Sequence, residues 1–350
     1  MAGGAGERFW PLSRIAKPKH LWNVFGGGKC ILQQTIERAK KIAGIKDILI
    51  ITNAEQVGET VKTCSLDPKN IIVEPEGRDT TAAIALASTI VRKRAGGGAA
   101  FAVLSADHII KDSDAFAATL NCAFEKAESG DFLVSIGIAP TFAATGFGYI
   151  KRGARQQLAS GECFKAERFF EKPNAERAQS YVDSGDFYWN AGMFVWQTRA
   201  IDAAIKRNAP NIFARIERLR EDLDAGSPLQ ETLAKHYPLI EKISIDFSVM
   251  ERADNVWVVP ARFDWDDAGS WNAVERHLPR DENLNVALGE CYMQNAKGDI
   301  IVDSTNTRAT AVLGLDNIVV VHTADATLVC AKDSAEKLKD LVRALPKKFR

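Results

Sequence analysis

A glycine-rich segment at the start of the chain has the residue types that bind polyphosphates. It reads GGAGER at residues 3–8, and Arg14, Lys17 and Lys19 follow shortly after it. Glycines let backbone N–H groups approach phosphate oxygens, and nearby cations neutralise phosphate charge. Because the Gly-Lys-Ser/Thr of a P-loop does not follow, the segment predicts a phosphate site of another type. A purely structural loop is the alternative.

Two acidic positions have the chemistry of a divalent-cation site. Asp107 lies in SADH at the end of the apolar run 100–108, and Asp267 lies in the acidic segment DWDDAGSW at 264–271. Ligands of open α/β sheets bind at the carboxyl ends of strands, and Mg²⁺ takes one or two carboxylates together with substrate phosphates. The two aspartates would serve if the fold brings them together. The alternatives are a capping role for Asp107 and a solvated acidic loop around Asp267.

Two later motifs suit a phosphorylated sugar. In Glu171-Lys172-Pro173 the lysine can act as a point charge for a phosphate, and the glutamate can accept hydrogen bonds from hydroxyl groups. Asn190 is the one amide in the aromatic-rich run YWNAGMF. A surface turn and a satisfied core asparagine are the alternative interpretations.

Short apolar runs alternate with segments of helical period, which predicts an α/β fold with a mainly parallel sheet. Strands are expected at 47–52, 70–75, 100–108 and 132–138, and helices at 80–95, with capping threonines, and at 175–185. Beyond about Asn283, short strand-like pieces recur at a spacing of roughly ten residues, followed by an amphipathic helix over 334–348. The predicted domains are therefore 1–278 and a β-rich domain at 283–350.

Composition excludes several classes of protein. The chain has 350 residues, 46% hydrophobic and 26% charged, with 45 basic and 45 acidic side chains. Zero net charge gives no global field that would gather nucleic acid or anionic lipid. The six cysteines form no CxxC pair, which favours buried thiols, and no apolar run approaches the ~20 residues of a membrane helix. These features predict a soluble, cytoplasmic protein that binds neither nucleic acid nor membrane.

Taken in order, the motifs are similar to those of one family. GGAGERFWPLSR, EPEGRDTTAAI, SADH, TGFGYI, EKP, WNAGMF, SIDFSVMER and FDWDDAGSW resemble bacterial mannose-1-phosphate guanylyltransferases of the sugar nucleotidyltransferase superfamily. The resemblance runs from Gly3 to about Leu278. It implies a Rossmann-like (GT-A-like) α/β/α sandwich with a left-handed β-helix-like C-terminal domain. It also implies transfer of GMP from GTP to α-D-mannose 1-phosphate, giving GDP-mannose and pyrophosphate with Mg²⁺ as cofactor.

The resemblance further implies a role for each matching position. The residues expected to bind the nucleotide are Gly3, Gly4, Gly6, Arg8, Lys19, Glu74, Gly77 and Arg78. Those expected to bind the sugar phosphate are Gly146, Glu171, Lys172 and Asn190, and the metal ligands are Asp107 and Asp267. Arg8, Lys19, Asp107 and Lys172 form the catalytic set.

The sequence departs from the family pattern at its start, where Met1 nearly adjoins the glycine loop and the first strand is expected to be missing. We expect that loss to weaken GTP binding unless the start lies further upstream. Because the chain ends without a cupin-like domain, no isomerase activity is expected. A homodimer joined through the C-terminal domain is expected. The alternatives are another sugar-1-phosphate nucleotidyltransferase, an inactive sugar-nucleotide-binding regulatory protein and, with least support, a scaffold protein.

Overall fold

The fold is known from a computed structural model that describes residues 1–4, 6–25 and 28–350. Ala5 of the glycine-rich segment lies outside the described residues. Short 3₁₀ turns and one π-helical turn, Asp246–Met250, supplement the regular elements. The α-helices are α1 (Ile31–Ala39), α2 (Val57–Thr63), α3 (Asp79–Ala95), α4 (Ser113–Glu128), α5 (Ala175–Ser184), α6 (Thr198–Asn208), α7 (Pro210–Asp224), α8 (Leu229–His236), α9 (Val274–His277) and α10 (Leu338–Ala344). The strands are β1 (Ile50–Asn53), β2 (Ile71–Glu74), β3 (Ala100–Val103), β4 (Leu133–Ile138), β5 (Tyr149–Gln157), β6 (Glu162–Phe170), β7 (Phe187–Gln197), β8 (Val256–Pro260), β9 (Val286–Leu288), β10 (Cys291–Gln294), β11 (Ile300–Asp303), β12 (Thr310–Leu313), β13 (Ile318–His322) and β14 (Thr327–Ala331).

The main sheet is mixed, so the prediction of a mainly parallel sheet is wrong. Its strand order is β3-β7-β4-β8-β6-β5, and only β4 and β8 pair in parallel within it. β7 runs antiparallel between β3 and β4. Apolar runs show where strands form, but they do not show the direction in which a strand enters the sheet. Helices α3, α4 and α6 pack on the sheet and bury apolar residues against it.

Two expected details of this half also differ from the structure. β3 ends at Val103, because the chain bends through Leu104–His108 instead of continuing as a strand. The predicted threonine cap of α3 is wrong, since Thr80 Oγ1 accepts the N–H of Ile245, 2.8 Å away in another segment. That threonine therefore fastens α3 to a distant part of the chain.

Met1 and Ala2 lie between β1 and the segment after β3 and bind both through backbone hydrogen bonds. Ala2 N–H donates to the Ile51 carbonyl (2.7 Å), the Met1 amino group donates to the Leu104 carbonyl (2.7 Å), and Ala106 N–H donates to the Met1 carbonyl (3.0 Å). The two bonds of Met1, to Leu104 and from Ala106, are those of a parallel pairing. Ahead of Met1, an apolar cavity of about 230 Å³ lies among β1, β3, α1, α3 and α4. The separate parallel pair β1–β2 flanks this cavity.

The C-terminal region stacks short strands in parallel coils. β9, β11 and β13 form one parallel ladder and β10 and β12 another, while β14 closes the first ladder in antiparallel fashion. Asn295, Asn306 and Asn317 adopt left-handed backbone angles (φ 52–54°) at intervals of eleven residues. Asparagine tolerates that conformation, so each one turns the chain into the next coil. The closing amphipathic helix is shorter than predicted, because residues 332–337 form a 3₁₀ turn before α10.

The C-terminal coils share a core with the segment that follows the glycine loop. Phe9, Trp22 and Trp271 pack edge-to-face or stacked, with ring centroids 5.2–6.1 Å apart. The same cluster includes Val302 and Leu338. Trp10 Nε1 and Arg14 Nη1 both donate to the carbonyl of Phe349 (2.7 and 2.6 Å). The end of the chain therefore holds the glycine loop in place.

We predict that five strand-forming residues joined ahead of Met1 (KVIVV) will stabilise the fold. They would pair with β1 and β3 and fill the apolar cavity, where each buried aliphatic side chain contributes about 1.5–3 kcal/mol before entropy costs. We expect Tm to rise by a few degrees in calorimetry. An extension of equal length made of glycine and serine is the control, and equal Tm values for the two extensions would contradict the prediction.

Candidate active site

Lys19 lies where three segments of the predicted site meet. Its Nζ is 2.9 Å from Asp107 Oδ2 and donates to the main-chain carbonyls of Asp267 and Ala268 (2.7 and 2.9 Å). The side chain is buried and lies over the Phe9 ring. Burial alone would raise the pKa of Asp107, but the charge of Lys19, with smaller contributions from His108 and His20, holds it well below its usual range. Asp107 is therefore a carboxylate at neutral pH.

The acidic segment divides into structural and site-facing carboxylates. Asp264 accepts the N–H groups of Lys111 and Asp112 ahead of α4 (2.9–3.1 Å), and Asp266 is bound by Arg276 and His277 (2.6–2.9 Å). Asp267 instead lies within the electrostatic influence of Lys19, Asp107 and Arg8. Burial raises the pKa of Asp267, and Lys19 opposes that shift. The interpretation of the whole segment as a solvated loop is therefore wrong.

A cavity of about 290 Å³ opens beside Asp107. Its walls include six of the residues predicted from the sequence, namely Gly3, Gly4, Glu74, Gly77, Arg78 and Asp107. Tyr237 donates a hydrogen bond from its hydroxyl to Glu74 Oε1, and burial raises the pKa of Glu74. Arg78 Nε donates to Glu76 (2.9 Å). The glycine loop and the EPEGR segment thus face each other across one cavity.

Gly6 and Arg8 are held by neighbours outside the cavity lining. Gly6 has φ +62°, and a Cβ there would lie 2.7 Å from Ser13 Oγ and 3.2 Å from the backbone nitrogen of Lys19. Only glycine fits that conformation and that space. Arg8 Nη1 donates to Glu336 of the C-terminal region (2.9 Å), while it also lies 3.4 Å from the Cβ position of Gly269. Arg8 is therefore close to the acidic segment but paired with another carboxylate.

Glu171 and Lys172 lie at the end of β6. Lys172 has a left-handed backbone (φ 48°), and its Nζ is 3.2 Å from Glu171 Oε1. Glu171 Oε2 is buried and has no hydrogen-bond partner among the described residues. It lies 2.5 Å from the position a Cβ would take on Gly148, so Gly148 leaves the space that Glu171 occupies. Burial and then the charge of Asp246 raise the pKa of Glu171.

Asn190 lies in β7 beside a break in the β4–β7 register. Between Ser135 and Gly137 the pairing shifts, and Gly192 adopts φ +63°. Such a bulge re-aims the side chains beside it. The Asn190 amide accepts from Ser135 Oγ and Gly192 N–H (3.1 Å each) and donates to Asp246 (2.8 Å). The alternative of an ordinary core asparagine does not account for its partner Asp246, a largely buried acid next to Glu171.

The position of Gly146 is constrained by few contacts. It lies in the exposed loop between β4 and β5, two residues before Gly148, and a Cβ there would meet nothing within 4 Å. Phe147 beside it contacts the rings of Trp189 and Trp265 (5.2 and 5.4 Å between centroids). These aromatic contacts connect the Gly146 loop to β7 and to the acidic segment.

Sequence reasoning did not select three residues of this region. His20 lines the cavity beside Asp107 with a buried Nε2 that has no hydrogen-bond partner in the described part of the chain, and burial lowers its pKa to about 4, so the ring is neutral. Tyr237 and Asp246 contact Glu74 and Asn190 across more than fifty residues of sequence. His20 follows directly after Lys19, and Asp246 lies in the motif SIDFSVMER, but neither signal gave the residue a role. Tyr237 lies in none of the motifs.

Comparison with known proteins gives the family of the chain. Residues 1–283 match the Nucleotidyl transferase family and residues 296–345 the MannoseP isomerase/GMP-like beta-helix domain. Mannose-1-phosphate guanylyltransferases of Klebsiella pneumoniae and Salmonella montevideo are 34% and 36% identical over 99% of this chain and 73% of their own length. The chain belongs to the mannose-1-phosphate guanylyltransferase family. This membership confirms the resemblance read from the motifs.

A solved structure agrees with that membership of the guanylyltransferase family. A Thermus thermophilus protein described as mannose-1-phosphate geranyltransferase superposes with a TM-score of 0.85 at 34% identity, covering 98% of this chain and 97% of the other. The predicted α/β nucleotidyltransferase fold with a β-helix-like C-terminal domain is thereby confirmed. No helix in the described part of the chain has the length and apolar character to cross a membrane.

We predict that Lys19→Met will destabilise the protein most strongly at neutral and alkaline pH. Removing this buried cation should cost about 1–3 kcal/mol, because the half-buried Asp107 and two main-chain carbonyls lose their hydrogen-bond donor. Without Lys19 the pKa of Asp107 rises above its unfolded value. The loss is then greatest above that pKa and shrinks as the pH falls through it.

Urea unfolding of both proteins from pH 8 to pH 4.5 measures this effect. Lys17→Met, at an exposed lysine two residues away, is the control and should change stability little. A pH-independent loss for Lys19→Met would contradict the ion-pair explanation.

Proposed function

We propose that the chain transfers GMP from GTP to α-D-mannose 1-phosphate, giving GDP-mannose and pyrophosphate. The observation that supports this most is the position of Lys19, which joins the Asp267 segment to Asp107, a residue that lines the cavity. The names of the relatives give the substrate class. The cluster of Glu171, Lys172 and Asn190 offers hydrogen-bonding groups and a cation for a sugar phosphate.

The reaction is attack by a phosphate oxygen of the sugar 1-phosphate on the α-phosphorus of GTP. One P–O bond forms, and the bond to pyrophosphate breaks in line with it. The nucleophile is an anion at neutral pH, so no strong base is required and the enzyme acts by positioning and by electrostatic stabilisation. This accounts for a site rich in lysine, arginine and aspartate, in which His20 and His108 are neutral.

Each predicted residue then takes a specific part. Backbone N–H groups of Gly3, Gly4 and Gly6 hold the phosphates, with Arg8 and Lys19 supplying charge. Arg8 would have to exchange Glu336 for phosphate, an exchange that is inexpensive because both side chains are largely exposed. Glu74, Gly77 and Arg78 line the cavity around the base. Glu171, Asn190 and the Gly146 loop hold the sugar, and Lys172 holds its phosphate.

Asp107 and Asp267 fit a Mg²⁺ ion of the type that completes its coordination with substrate oxygens. Within the described residues no group of three or more potential ligands forms a closed metal cage. Two carboxylates, one of them held ionised, match the low ligand count of Mg²⁺ in nucleotide sites. The bound ion would orient the phosphates and neutralise their charge.

We expect Asp107→Asn and Asp267→Asn each to lower kcat at least about 100-fold, since each removes a carboxylate from the metal-binding pair. Pyrophosphate release with GTP, mannose 1-phosphate and varied Mg²⁺ measures this effect. The matched control is Asp264→Asn on the same segment. Asp264 accepts hydrogen bonds from the backbone just ahead of α4, so Asp264→Asn should reduce stability and leave the Mg²⁺ dependence unchanged.

The same assay decides between the proposed activity and its alternatives. Turnover is compared for GTP, ATP, UTP and dTTP with several sugar 1-phosphates. Preference for another pair would replace the GDP-mannose assignment while keeping the enzyme class. Nucleotide-sugar binding without turnover would favour a regulatory protein.

The proposed setting is the cytoplasm, with GTP and mannose 1-phosphate as partners and neither nucleic acid nor membrane. All six cysteines are free thiols. Four are buried as expected, and Cys291 and Cys330 are half-buried. Free thiols of this kind are typical of a reducing compartment.

We also propose a homodimer formed through the C-terminal coils, whose outer face exposes Tyr292, Leu313 and Val329. Exposed apolar side chains of this size favour association. Leu313→Asp should therefore reduce the mass measured by light scattering to that of one chain. Leu239→Asp, at an exposed leucine of the first domain, is the control. An unchanged mass for Leu313→Asp would exclude this surface.

A further inference from the structure

One segment, residues 243–251, contacts both halves of the candidate site. Toward the nucleotide side, the Ile243 carbonyl accepts Thr81 N–H (3.3 Å), and the hydroxyls of Ser248 and Thr81 share a hydrogen bond of 2.8 Å. Toward the sugar side, Glu251 Oε1 accepts the backbone N–H of Glu171 (2.9 Å). The segment contains the π-helical turn, a rare feature that frequently marks functional sites.

Asp246, at the start of that turn, fixes the Asn190 amide. Asn190 Oδ1 accepts two hydrogen bonds, from Ser135 Oγ and Gly192 N–H, and Asn190 Nδ2 donates to Asp246 Oδ1. A carboxylate can only accept and a backbone N–H can only donate, so the amide has a single orientation. That orientation leaves one Nδ2 hydrogen for a further acceptor.

We propose that Asp246 is a positioning residue for the sugar phosphate, acting through Asn190 and setting the affinity for that substrate. This inference rests on the proposed function. It assigns a role to the SIDFSVM motif, which carries no role from the sequence. Asp246 holds the amide so that its free N–H can donate to a sugar oxygen beside Glu171 and Lys172.

The electrostatic surroundings support this role. Burial raises the pKa of Asp246, while its hydrogen bond from Asn190 and the charge of Lys172 oppose the shift. The charge of Asp246 in turn helps to raise the pKa of Glu171, whose buried Oε2 is unpartnered in the described structure. Two neighbouring carboxylates are costly to keep charged while the buried Oε2 of one of them has no hydrogen-bond donor. The hydroxyl groups of a bound sugar supply such donors.

The test compares Asp246→Ala and Asp246→Asn with the wild-type enzyme in steady-state kinetics. Removing a charge-assisted hydrogen bond that holds the amide should raise KM for mannose 1-phosphate about 10- to 100-fold in Asp246→Ala. KM for GTP should change less than about threefold. Asp246→Asn keeps an acceptor oxygen for Asn190, so it should recover much of the lost affinity. Equal rises in both KM values, or no rise in Asp246→Ala, would overturn the proposal.

A control and a second route separate positioning from general damage. Asp202 is also a largely buried carboxylate, bound by Arg220 and Ser88 (2.8 Å each) on α6, and Asp202→Asn should lower Tm without shifting either KM. Ser135→Ala removes the opposite hydrogen bond of the same amide. It should raise KM for the sugar phosphate selectively, and non-additively with Asp246→Asn. Additive effects would count against a shared action through Asn190, even if Asp246→Ala fails to fold.

Wild-type turnover tests the proposed function separately. If the wild-type enzyme prefers another sugar 1-phosphate, the same ratios are measured with that substrate, and the inference about Asp246 is judged on them.

Discussion

The ammonium group of Lys19 is the contact on which the arrangement of the site depends. It neutralises Asp107 and donates hydrogen bonds to the main-chain carbonyls of Asp267 and Ala268, so one cation joins three segments distant in sequence. A buried cation with three oxygen partners is satisfied, whereas the two half-buried carboxylates without it would repel each other. The ion pair lets two carboxylates lie close together before any ligand arrives.

The position of Lys19 depends in turn on the aromatic packing around it. Phe9 lies under its Nζ, and Trp22 and Trp271 complete the cluster that also belongs to the C-terminal coils. Aromatic pairs of this geometry add to the free energy of apolar burial. The position of the glycine loop therefore depends on a core that forms only when the first and last parts of the chain pack together.

Much of this arrangement could be predicted from local sequence. Glycines, EKP and the acidic segment carry residue types whose chemistry can be recognised without a structure, and apolar runs predicted β1 to β4 but not β5 to β8. The antiparallel direction of β7 could not be predicted, because an apolar run does not show the direction in which a strand enters the sheet. Nor could the contacts of Asp246 and Tyr237, since hydrogen bonds across the fold leave no periodicity in the sequence. Asp264 and Asp266 lie in the same acidic segment as Asp267, but the fold uses their side chains to bind neighbouring N–H groups and cations of the chain, which the composition of the segment does not show.

The core shared by the glycine loop and the C-terminal coils also bears on how the molecule comes apart. Because Phe9 and Trp271 pack with Val302 and Leu338, neither region can lose its structure without exposing the apolar surface of the other. The chain should therefore melt as one cooperative unit. A protease cut within the coils should therefore also destabilise the glycine loop, some three hundred residues earlier in the sequence.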